Sequence, residues 1–274
     1  TQHIYALNGD DESVFLTYRA DAAIDALVNQ AITAAPEIDF VAEDGVRHTI
    51  WIAAEATTAA LAANFTRLPL LYIADGHHRC AAASRAAKLC ASNGGRGGHE
   101  YFLATVIPHN QVQILDYNRA VKDLNGLNSE QFLARLAHAF EVTPAQQKKP
   151  LQPRQFGLYL ESRWYRLIAR PESFRSDTLD LLDVSILQEN VLRAVLGIND
   201  VRTDARVQFI GGIRGVAELE RLVDSGQFRA AFAMFPTQLN QLMAVADAGG
   251  IMPPKSTWFE PKLRSGLLLH VFGD

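Results

Sequence analysis

Two kinds of segment alternate along all 274 residues. Short runs rich in β-branched and aromatic residues read as strands, and longer stretches with apolar residues at helical spacing read as helices. Strands are expected at Val14–Tyr18, Ile38–Val41, 47–53, 70–74, 101–107, 112–115, 156–160, 164–169, 207–210, 229–235 and 267–272. Helices are expected at 22–35, Glu55–Phe65, 77–91, 129–140, 183–196, 216–224 and 237–246. Asp44-Gly45 and Glu161-Ser162-Arg163 read as hairpin turns, and Asn128 or Ser129 as a helix cap. Such alternation predicts an α/β or α+β protein with mixed sheets and surrounding helices. The NGGRGG run at 93–98 reads as a loop. The proline-bearing run PAQQKKPLQP at 144–153 reads as a linker, which divides the chain into domains 1–145 and 146–274.

Composition narrows the function. A formal charge of -4 leaves no general basic field for coating nucleic acid, and the tryptophans Trp51, Trp164 and Trp258 are not interleaved with basic residues. No apolar run reaches the roughly 18–20 residues of a membrane span, and the N-terminus has no signal-peptide pattern. Cys80 and Cys90 fall in one expected helix, about 15 Å apart at the α-helical rise, too far for a disulfide. They read as reduced thiols of a cytoplasmic protein.

Chemistry concentrates in LLYIADGHHRCAA, residues 70–82. An apolar strand ends at Asp75-Gly76, and His77, His78 and Arg79 open an alanine-rich helix. A helix N-terminus offers free N–H groups and partial positive charge, hence an anion site. Gly76 admits close backbone approach, and Arg79 can grip phosphate oxygens. Asp75 suits an N-cap, a metal ligand or a base. The plainer alternative is a capped helix with a surface ion pair. Adjacent His77 and His78 point about 100° apart on a helix, which disfavours joint chelation of one ion. A second polar stretch, PPKSTWFEPK, puts Lys255, Ser256, Thr257 and Lys262 in a proline-stiffened cationic loop, alternatively an ordinary surface turn. Arg119, after a strand end, is a further candidate anion ligand or a surface arginine.

IADGHHRCAAA (73–83), ILDYNRAVKDLNG (114–126), LLDVSILQENVL (181–192), FIGGIRG (209–215) and MPPKSTWFEPKLRSGL (252–267) together resemble the domain-of-unknown-function family numbered one thousand and fifteen. Members carry a long segment ahead of the part matching Thr1. The chain is therefore expected to be the C-terminal portion of a longer protein, with the missing part packed against it. DGHHR also resembles the phosphate-binding turn of the ParB/sulfiredoxin superfamily. This implies a ParB/sulfiredoxin-like core in 1–145 and a second α/β subdomain after it. His77 stands where sulfiredoxin needs cysteine, and no basic helix-turn-helix is evident, so neither sulfiredoxin nor chromosome-partition activity is implied.

The nearest chemical analogue is the free serine kinase branch, which phosphorylates free L-serine with ATP, ADP or pyrophosphate. That resemblance implies Asp75 and His77 as catalytic residues, and a Mg2+ at Asp75. It gives the donor phosphates to Gly76, His78 and Arg79, with Arg119, Lys255, Ser256, Thr257 and Lys262 closing the site. The substrate would be a small molecule. The branch also needs an upstream glutamate, for which Glu55 is available here and the missing segment is the other place. The alternatives are a non-catalytic nucleotide- or anion-binding regulator and, further off, a ParB-like nucleic-acid-associated protein.

Overall fold

The computed structural model describes residues 1–92 and 97–272, so most of the expected NGGRGG loop lies outside the described residues. The chain is α/β, in two compact units. One comprises Thr1–Val112 with Pro261–Asp274, and the other Gln113–Glu260.

The first unit contains α1 (Gln2–Leu7), β1 (Gly9–Asp10), β2 (Val14–Tyr18), α2 (Ala22–Ala31), β3 (Ile38–Val41), β4 (Arg47–Ile50), α3 (Glu55–Phe65), β5 (Tyr72–Asp75), α4 (His77–Ser92) and β6 (Ala104–Pro108). Strand β2 is buried along its whole length, so it is central and covered on both faces. It runs antiparallel to β5 and parallel to β6. The β3–β4 hairpin turns where expected, with Gly45 at φ 82° and the Asp44 carboxylate accepting the Val46 N–H. Asp21 caps α2 through the N–H groups of Ala23 and Ile24. From the C-terminal segment, strand His270–Val271 pairs with β1.

The second unit contains β7 (Gln113–Leu115), β8 (Tyr117–Val121), α5 (Ser129–Leu136), β9 (Phe140–Pro144), β10 (Gln155–Leu160), β11 (Arg163–Ala169), α6 (Asp183–Leu187), β12 (Val207–Gly211), α7 (Gly215–Asp224), β13 (Ala230–Met234), α8 (Leu239–Asp247) and β14 (Trp258–Glu260). Six strands form an antiparallel sheet in the order β12-β8-β13-β10-β11-β9. The strand period of two sorts its side chains onto two faces. Phe156, Leu158, Leu160 and Phe232 join the larger core with Phe132, Leu136 and Leu187. Tyr159, Ala231 and Ala233 join the smaller one with Leu219 and Leu222 of α7.

Three expectations change. The division at residue 145 is replaced by one near 112 and 260, because β9 and β10, on either side of the proline-bearing run, belong to one sheet. The run lies across β10: a Cβ on Gly157 would fall 2.2 Å from the Lys148 carbonyl oxygen, and the Lys148 ammonium sits 2.7 Å from Glu220. The helix expected over 183–196 is a short α-helix followed by a π-helical stretch, Gln188–Arg193. The N–H groups of Ala194 and Leu196 each reach back five residues, to the Glu189 and Val191 carbonyls. Strand β8 follows the expected strand end at Leu115, and the helix expected to reach Phe140 stops at Leu136, with Phe140 opening β9 instead.

Candidate functional site

Strand β5 delivers Asp75 to the start of α4, and the turn between them is the expected corner. Gly76 has φ 89°, in the left-handed region that glycine tolerates. The Arg79 guanidinium folds back over it: a Cβ on Gly76 would lie 3.0 Å from both Nε and Nη2. The glycine thus supplies the backbone conformation and the room for the arginine. Arg79 Nη1 donates to Glu12, whose other oxygen accepts the Ser265 hydroxyl at 3.0 Å. Arg79 Nε is buried without an acceptor among the described residues. Asp75 Oδ1 accepts the Gly76 N–H at 2.8 Å, and its Oδ2 faces Lys262 Nζ at 3.6 Å. Two acids, two cations and a hydroxyl therefore gather at a helix N-terminus whose first-turn N–H groups have no helical acceptor.

Two cavities open on this cluster. The smaller, about 120 Å3, is lined by Glu12, Ser13, Asp75, Arg79, Lys262 and Ser265, among others. The larger, about 520 Å3, is lined by His3, Asp10, Glu12, His78, Arg79 and Arg85, among others. Glu12 and Arg79 form part of both walls. His78 borders the larger cavity, whereas His77 is exposed and lines neither. Glu55 opens α3 and lines neither cavity. Among the described residues no group of three His, Cys, Asp or Glu side chains is placed to hold a metal ion.

The remaining expected ligands lie in the second unit. Arg119 is buried on β8, with Nη1 donating to the Tyr117 carbonyl and Nη2 to the Lys255 carbonyl at 3.0 Å. Burial pushes its guanidinium down to about 10. Lys255 has φ 54°, and its ammonium lies 5.9 Å from the Tyr117 ring centre. The buried Ser256 hydroxyl donates to the Pro253 carbonyl at 2.6 Å, while Thr257 is half-buried. Within each unit, then, Lys262 stands beside Asp75, and Lys255 and Ser256 are grouped with Arg119. Glu12 and Ser265 were not singled out by sequence. The available signal was the acidic run Asp10-Asp11-Glu12 just before β2, the strand that pairs with β5.

A family model described as "Protein of unknown function (DUF1015)" matches residues 1–185. No curated protein matches the chain. A conserved hypothetical protein from Pyrococcus furiosus is similar in structure at 12% identity and TM-score 0.41, over 96% of this chain and 82% of that one. A free serine kinase in complex with AMP is similar at 12% identity and TM-score 0.41, over 92% and 85%. A variant of free serine kinase in complex with ADP is similar at 15% identity and TM-score 0.37, over 89% and 83%. At such scores the likeness assigns no activity. Among the described residues no helix is long and apolar enough to cross a membrane.

Proposed function

The chain belongs to the DUF1015 family, whose model spans residues 1–185, and on that footing we propose that it is a phosphotransferase acting on a small hydroxyl compound. The donor is a nucleotide or pyrophosphate, and free serine is the first acceptor to test, as the DGHHR resemblance implies. One observation carries this reading: Arg79 lies folded over Gly76 at the α4 N-terminus with a buried Nε–H that has no acceptor among the described residues. A buried donor left unsatisfied costs about 1–3 kcal/mol, which an anion at this corner would recover.

The donor phosphates sit on the first turn of α4, where His78, Arg79 and the backbone N–H groups meet their charge. The acceptor hydroxyl lies against Asp75. Its oxygen bonds to the terminal phosphorus as the bond from that phosphorus to the leaving phosphate breaks, and its proton passes to the Asp75 carboxylate. Lys262 stabilises the charge on Asp75 and on the transferred group. Glu12 and Ser265 hold Arg79 in place. The residues do not fit a resident Mg2+, because one Asp75 oxygen faces an amide and the other an ammonium. A Mg2+ arriving with the nucleotide belongs to the substrate, and no step is routed through it.

The test incubates the chain with ATP, ADP or pyrophosphate and a panel of small hydroxyl compounds including L-serine, and reads phosphorylated product by mass spectrometry. Arg79→Ala is expected to lower the rate at least ~100-fold while leaving the unfolding midpoint close to wild type. Undiminished turnover in that variant would sink the proposal. Nucleotide binding without product from any acceptor would favour a non-catalytic nucleotide-binding protein instead.

A further inference from the structure

We propose that the second unit has a ligand pocket of its own, for a small organic acid whose carboxylate pairs with Arg119. This goes beyond the phosphotransfer reading and does not rest on it.

Arg119 is 4% exposed. Two of its N–H groups reach the Tyr117 and Lys255 carbonyls, and its guanidinium carbon lies 5.1 Å from the centre of the Phe209 ring. A guanidinium has five such donors, so this arrangement leaves some over. Among the described residues no carboxylate lies within ion-pair distance of it. A buried charge without a counter-ion costs several kcal/mol, and a guanidinium does not relieve that cost by losing its proton near neutral pH.

A cavity of about 270 Å3 has Arg119 in its wall. Val184, Leu192, Val201 and Pro253 make much of the remainder apolar, and Gln188 and Asn199 add polar edges. Asp200 also borders it, but both of its oxygens are held by the Arg202 guanidinium at 2.8–3.3 Å. The acid in the wall therefore does not neutralise Arg119. The volume lies just below the roughly 300–1,000 Å3 of pockets for drug-sized ligands and holds several water-sized groups. Arg202 borders the cavity as well, but its charge is met by Asp200, which leaves Arg119 as the lining cation with no carboxylate partner among the described residues. Such a cation beside apolar walls selects an anion with a short apolar body. A bare phosphate asks for donors on several sides.

The probe is isobutyrate, titrated into the full chain by calorimetry and by ligand-observed NMR, with neutral isobutyramide as its isostere. Saturable isobutyrate binding is expected, at least ~10-fold tighter than isobutyramide. Arg119→Gln should abolish it. Val201→Trp, which fills the cavity and keeps the arginine, should abolish it too, and decides the matter if the first variant does not fold. Arg79→Ala should bind isobutyrate as wild type does, which separates this pocket from the α4 corner. Absence of saturable binding, equal binding of the amide, or wild-type affinity in Val201→Trp would overturn the proposal. So would inorganic phosphate bound through Arg119 with no isobutyrate binding.

Discussion

Asp183 shows how much one side chain can set the behaviour of the whole. It is the first residue of α6 and 8% exposed. Its Oδ1 accepts the Arg154 N–H at 2.9 Å, while Oδ2 is buried with no donor among the described residues. Burial pushes its carboxyl from the ordinary 3.8 up to about 7, against the opposing effect of the Arg154 N–H. The folded chain thus holds a proton that the unfolded chain has lost between those pH values. The stability contributed is complete below 3.8 and is lost as pH rises through about 7. A carboxamide in place of this carboxyl has no such proton to lose and keeps an oxygen to accept the Arg154 N–H. Asp183→Asn is therefore expected to flatten the fall in stability between pH 5 and pH 8. At pH 8 it should be the more stable protein, by an amount capped at roughly 4 kcal/mol. Urea midpoints at the two pH values measure this, and identical midpoints at pH 8 would refute the desolvation account.

At the scale of elements, local chemistry decides most boundaries. The Asn128 carboxamide accepts the Gln131 N–H while the Gln131 side chain accepts the Asn128 N–H, a reciprocal cap that starts α5. Asn128→Ala should cost about 1 kcal/mol, seen as a lower urea midpoint at unchanged slope. A change in slope would mean that the helix end also shapes the denatured state. The same kind of local signal made most of the fold legible in sequence, including β2, the β3–β4 hairpin, α3 and α7. Legibility failed where tertiary partners override the pattern. Strand β8 carries Asn118 and Arg119, and in sequence the arginine reads as an anion ligand or a surface residue. Both are buried: the Asn118 side chain donates to Asp116 at 2.6 Å and accepts the Met234 N–H at 2.8 Å, and Arg119 donates to the Tyr117 and Lys255 carbonyls. The helical reading runs on past Leu136 to Phe140, a residue that pairing with β11 places in strand β9. The π-helical stretch Gln188–Arg193 has no composition signal at all.

At the scale of the molecule, the first unit is assembled from two distant parts of the chain. Residues 75–79 were readable as an anion corner because strand, turn and helix follow one another locally. Of their partners, Lys262 is legible from its cationic loop, whereas Glu12 and Ser265 come from far away in sequence and carry no comparable local signal. The C-terminal segment is tied into this unit by backbone pairing as well. The Phe272 N–H donates to Asn8 O at 2.9 Å, and the Gly98 N–H donates to Phe272 O at 2.9 Å. The Asp10 carboxylate lies 3.4 Å from His270 and accepts the Leu103 N–H at 3.1 Å. A chain ending at Glu260 would lose this pairing, and with it the ammonium beside Asp75 and the hydroxyl on Glu12. The six-stranded sheet would lose no strand, since all six lie within Gln113–Glu260. The truncated chain should therefore keep slow hydrogen exchange at β10 and β13 and show faster exchange at β1. Nucleotide binding at the α4 corner should weaken by up to about 5-fold, since Lys262 and Asp75 are about half exposed and a charge contact there is worth about 1 kcal/mol or less. Wild-type nucleotide affinity in that chain would show that the phosphates are held without Lys262. Uniformly fast exchange in the second unit would show that its sheet depends on the last fourteen residues.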